Sequence, residues 1–188
     1  MTNRELTAVD DRHLRRSGAI YMSVFAFFWA VGPPPIDGAA ARTVVLVSAV
    51  CLTALTVVLA LRVRGGPPRD LVSDWQRRYN RVVLVELGVI AVVVVALLVL
   101  GATEVIAPVV CLVVGLHFLP LATLFRQPAY RWTGVALTGV AALGLVLALT
   151  SGGDAGRTVV GFGAAAALWL TSATVAIGRR EPVGAETS

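Results

Sequence analysis

Lysine is absent from this sequence, and all 16 basic residues are arginines. Charge of either sign is scarce, at 14% of residues, where a soluble domain carries about 25%. That shortage and a mean hydropathy of +0.81 exclude a water-soluble fold. Cysteine is nearly missing too. Cys51 and Cys111 both lie inside apolar stretches, so there is no CxxC pair, zinc-ligand spacing or disulfide framework. By helix rise the two would sit at similar depth, roughly 10–12 Å below the outer surface, where they read as small packing residues before they read as a redox pair. The missing lysine and the heavy use of Ala, Val and Gly indicate a GC-rich bacterial genome, so the net charge of +5 does not imply nucleic acid.

What is present in quantity is long apolar runs. A helical span needs about 20 mostly apolar residues, and six stretches meet or approach this: Ser17–Gly32, Thr43–Leu61, Val82–Gly101, Val105–Phe125, Trp132–Thr150 and Thr158–Gly178. The sequence therefore predicts an all-α integral membrane bundle of six transmembrane helices, a single membrane domain over residues 1–188. The first stretch is the shortest. It ends in Gly32-Pro33-Pro34-Pro35 with no small-x-small site, so a cleavable signal peptide is not expected.

The arginines set the orientation. Fourteen fall before the first span, between spans two and three, between four and five, or after six, and only Arg42 and Arg157 fall in the other links. The positive-inside rule then places both termini in the cytoplasm, in a multi-pass protein of the plasma (inner) membrane whose arginines face anionic lipid head groups. In the longest link Gly65-Gly66-Pro67-Pro68 ends the second span. Ser73 can cap a short interfacial helix, with Trp75, Tyr79 and Val83 on one stripe and Arg77, Arg78 and Arg81 off it. The expected roles are anchoring span three and contacting lipid head groups.

The hairpins 15–64 and 131–180 resemble one another. Each opens on a basic residue and a glycine, carries Asp37 or Asp154 in its outer turn, and continues into Arg-Thr-Val-Val at Arg42–Val45 or Arg157–Val160. This suggests a parallel repeat. Gly134, Thr138 and Ala142, and Gly163 with Ala167, suit close helix packing or a homo-oligomer.

Two ionisable residues inside spans carry the chemical interest. Counting inward from Arg81 and from Arg126 puts Glu86 about 7 Å and His117 about 13 Å from the inner surface. A charge in hydrocarbon costs a few kcal/mol, and such residues usually face the bundle interior. Antiparallel neighbouring spans allow the two to meet. Pro120 removes a backbone donor from the carbonyl of Leu116 and loosens the helix nearby. Glu86 can instead pair with Arg81 or Arg126, and His117 with a backbone carbonyl. Glu104 reads as a helix-dipole cap and Asp37 and Asp154 as turn residues or an acidic entrance.

The run from Gly115 to Arg126, Gly-Leu-His-Phe-Leu-Pro-Leu-Ala-Thr-Leu-Phe-Arg, resembles small multi-pass membrane proteins of actinobacteria. That likeness implies no activity. Asp37-Gly38-Ala39-Ala40-Ala41-Arg42 opens like the signature of CDP-alcohol phosphatidyltransferases, but the following glycine is replaced by Cys51 and the later aspartates are missing. The Gly-x-Ser-Gly motif of rhomboid proteases is missing, and one membrane histidine cannot make a bis-histidine haem site. No cofactor and no metal is expected. The sequence leaves three functions open: a transport or channel-type protein using Glu86 and His117 for protons or cations, a membrane enzyme using them as acid and base on a lipid or isoprenoid, and a non-catalytic subunit or scaffold.

Overall fold

The computed structural model describes residues 6–32, 35–63 and 69–178. Six long helices fill it: α1 (Asp11–Val31), α2 (Ala39–Leu61), α3 (Trp75–Val99), α4 (Ile106–Leu124), α5 (Pro128–Thr150) and α6 (Gly153–Ile177). Strands β1 (Leu6–Val9) and β2 (Arg69–Val72) form a two-stranded antiparallel ribbon, with Leu6 opposite Val72 and Val9 opposite Arg69. The ribbon was not foreseen in the all-α reading. It joins the chain just ahead of α1 to the chain just ahead of α3. The Gly65–Pro68 breaker, Arg4, Arg64, Arg179 and Arg180 lie outside the described residues.

Among the described residues five segments are long and apolar enough to cross a membrane, namely α2, α3, Thr103–Leu124, α5 and α6. The chain is thus a multi-pass membrane protein. The first helix differs from expectation at its start. It begins at Asp11, where Asp10 caps it by accepting from the Arg12 amide at 2.9 Å. This lengthens the short first stretch to 21 residues, and the same charged first turns keep α1 out of the apolar set.

α6 is the hub, packing against α1, α2, α4 and α5. Its contacts with α1 and α5 join small or hydroxylic side chains, as expected where lipid gives no hydrophobic reason for helices to associate. Ser172 Oγ donates to the Ala19 carbonyl and lies 2.8 Å from Ser23 Oγ, linking α6 to α1. Thr171 and Thr133 hydroxyls are 2.6 Å apart between α6 and α5. Trp169, which falls mid-span in the sequence, donates its indole N–H to Thr53 of α2 at 3.1 Å. Where α5 crosses α6, a Cβ on Gly156 would stand 2.6 Å from the Gly144 carbonyl oxygen. Where α4 crosses α5, a Cβ on Gly115 would stand 2.8 Å from Thr138 Oγ1. The small residues Gly134 and Thr138 therefore serve contacts inside one chain, while Ala142 is exposed.

The α1–α6 contact is extensive, whereas α2 and α5 are not among the substantial helix pairs. The two cysteines also separate: Cys51 is exposed on α2, whereas Cys111 is buried on α4 with its thiol 3.5 Å from the Leu137 carbonyl.

Arg15 ties the first and last helices together at one end of the bundle. Its guanidinium donates to the Val175 carbonyl at 2.9 and 2.7 Å and also to Gly178, the last carbonyls of α6. Cations suit a helix C-terminus because the carbonyls there lack intrahelical donors. Asp11, one turn earlier and fully buried, sits 3.7 Å from the same guanidinium. Counted from sequence as one of the lipid-facing arginines, Arg15 is a buried cap. Arg15→Ala should lower unfolding free energy by about 3 kcal/mol, the cost of leaving one partner of a buried pair behind. The check is thermal or denaturant unfolding of the purified protein in detergent, with Arg16→Ala, exposed at the adjoining position, near neutral.

Candidate functional site

α3 and α4 are antiparallel neighbours joined by a tight turn. Gly101 closes α3 with φ of +70°, a left-handed value that side chains resist, and the Ala102 amide reaches back to Leu97. One 3-10 turn, Thr103–Val105, then leads into α4. Glu86 and His117 each lie about 20 Å from this turn by helix rise, so they share a level. Glu86 Oε2 is 3.3 Å from His117 Nδ1, and both side chains are largely shielded, at 15% and 10% exposure.

The unequal depths counted from the inner side misjudged this register. α3 runs unbroken from Trp75, and its N-terminal end does not lie level with the C-terminal end of α4. The short interfacial helix is accordingly not a separate element. Its cap position is Asp74 instead of Ser73, and Asp74 gives its carboxylate to Arg78 Nε at 2.8 Å. Trp75 and Tyr79 turn towards α4, their rings edge-on to Phe125 at 6.0 and 5.8 Å. Phe125 meets Tyr130 of α5, which meets Phe118. This aromatic row braces the N-terminal end of α3, and Phe125 was not singled out from sequence.

The pair lies in a groove of about 410 Å³, open on its outer side, between α3 and α4. Val82, Val85, Val89, Val113 and Leu116 form its apolar walls, with Pro120 and Arg81 at one end. Arg81 shares the groove but makes no ion pair with Glu86, and neither does Arg126. His117 is the partner among the described residues. Arg126 ends α4 with φ of +48°, and the Gln127 amide closes the turn on Ala122. This repeats the cap geometry of Gly101 with a side chain that tolerates it less well.

Among the described residues, Glu104 and Asp154 do not join the site. Glu104 makes no capping hydrogen bond to α4, and its stem packs against Gly153. Asp154 is paired with Arg157 in the first turn of α6. Among the described residues no third His, Cys, Asp or Glu converges on Glu86 and His117 to complete a metal-ligand set.

Chemically, a carboxyl and an imidazole at this distance form a unit that is neutral with one proton between them. Removing that proton leaves −1 and adding another gives +1, and either net charge is costly in hydrocarbon. No family model, curated protein or solved structure matches this chain.

The pairing makes a stability prediction of its own. Glu86→Leu and His117→Leu should each destabilise the protein, because the remaining partner is left polar and uncompensated. The double substitution should cost less than the sum of the singles, with a coupling of about 1–3 kcal/mol. Unfolding midpoints of the four proteins in one detergent measure it.

Proposed function

We propose that the chain is a small transport or channel-type protein of a bacterial plasma membrane, with six crossings, both ends cytoplasmic, and Glu86 and His117 as its proton- or cation-handling residues. The observation that carries this reading is the 3.3 Å carboxylate–imidazole contact in an otherwise apolar groove. A cation that enters can take the place of the shared proton without changing the net charge of the site, so exchange is cheap where simple charging is not. Among the described residues the groove is walled by α3 and α4. A second copy packed on the outer half of α3, where Val92, Val95 and Val99 are exposed, supplies the missing wall for a continuous path.

In proteoliposomes carrying a pH-sensitive dye, Glu86→Gln and His117→Ala should each abolish proton or cation flux, and unaltered flux in either overturns the pathway. The orientation is tested separately. Single cysteines at Thr2 and Ser188 in a chain with Cys51 and Cys111 replaced by Ala should react with impermeant maleimide only after the cytoplasmic side is opened.

The open side of the groove also favours a second reading. A lipophilic substrate can reach the pair by moving sideways in the bilayer, which suits a membrane enzyme using Glu86 and His117 as acid and base on a lipid or isoprenoid. Product formation lost in Glu86→Gln, with no flux in the parent protein, would select it.

A further inference from the structure

α3 carries a row of side chains at four-residue steps: Arg77, Arg81, Val85 and Val89. Two adjoining depressions follow this row. The inner one is lined by Arg77, Asn80, Arg81, Leu84 and Val85, and the other is the groove of Glu86 and His117. They share Arg81 and Val85, so one continuous track passes from cationic to apolar. From Arg77 to Val89 it runs about 18 Å by helix rise, against about 15 Å for half the hydrocarbon core.

The arginines of this segment are not alike. Arg78 is neutralised by Asp74 at 2.8 Å. Arg77 and Arg81 are exposed and have no carboxylate at ion-pair distance among the described residues. We infer that the track binds one anionic phospholipid, its phosphate held between Arg77 and Arg81 with Asn80 as a further donor, and one acyl chain lying along Val85 and Val89 towards Leu116. Charge complementarity selects the occupant. A free phosphate answers the arginines but leaves the apolar length uncovered, and a zwitterionic lipid brings a choline cation to an already cationic end. The seated chain passes over the Glu86–His117 pair and closes the open side of its groove. The leaflet assigned to this lipid, the inner one, rests on the proposed orientation, whereas the binding itself does not.

Native mass spectrometry of the full chain released from detergent tests the binding, with dioleoylphosphatidylglycerol, dioleoylphosphatidylcholine and inorganic phosphate as probes. The phosphatidylglycerol should bind more tightly than the phosphatidylcholine, and inorganic phosphate should not displace it. Arg77→Gln/Arg81→Gln should weaken phosphatidylglycerol by about thirtyfold, from about 1 kcal/mol per arginine near the membrane surface. Val89→Trp, which keeps both arginines and fills the apolar end, should also weaken it, while Arg16→Gln, an exposed arginine on α1, should not. All these positions are exposed, so the fold is kept. Equal binding of the two lipids, unchanged binding in the double variant or in Val89→Trp, an equal loss in Arg16→Gln, or full displacement by inorganic phosphate overturns the inference. Glu86→Gln separates it from the flux reading: phosphatidylglycerol binding kept while flux is lost supports both, and binding kept with flux unaltered sinks the flux reading alone.

Discussion

Helices that are apolar on every side gain nothing from the hydrophobic effect by meeting in a bilayer, because lipid is as good a neighbour as leucine. Everything in this structure follows from how that problem is met. α6 packs against four other helices, and its small, hydroxylic and indole side chains share hydrogen bonds with three of them, α1, α2 and α5. Close approach needs glycine at the crossings, at Gly144 and Gly156 on one side and at Gly115 and Gly134 on the other. Arg15 completes the arrangement at one end, where the free carbonyls of α6 would otherwise stand without donors.

α3 has none of these devices. Among its described residues not one is buried, and apart from the 3-10 turn it packs substantially only against α4. It is held at its ends: by Gly101 and the tight turn into α4, by Trp75 and Tyr79 on Phe125, and by the ribbon that leads into it. Glu86–His117 is the polar contact between α3 and α4 at depth. The most weakly packed helix thus carries the most expensive side chain of the membrane interior, and the groove exists because the two helices do not seal against each other.

Much of this was legible in the sequence. Lengths and apolarity gave the helices, since in hydrocarbon the backbone must satisfy itself within each segment. The rarity of charge in the spans singled out Glu86 and His117, and antiparallel succession made their meeting foreseeable. Other features were hidden for physical reasons. Arg15 looked like any inner-face arginine because its partners are backbone carbonyls 160 residues away, which carry no sequence signal. Ser23, Ser172, Thr133 and Thr171 are common membrane residues, and only the rotation of each helix decides whether they meet or face lipid. The ribbon rests on two four-residue segments too short and too ordinary to stand out.

The register of Glu86 against His117 shows where such counting goes astray. Measured inward from the arginines, the two differ by about one helical turn, because arginine side chains reach for head groups over several ångströms and so mark the interface loosely. Measured from the outer turn, they coincide, because a three-residue link closed by a left-handed glycine fixes α3 and α4 relative to one another. A tight turn is the better origin for depth in any antiparallel pair of spans. The same reasoning explains the track on α3: with Arg78 turned to Asp74, Arg77 and Arg81 remain on the four-residue row that continues into the groove, and helix periodicity alone aligns charge with apolar surface.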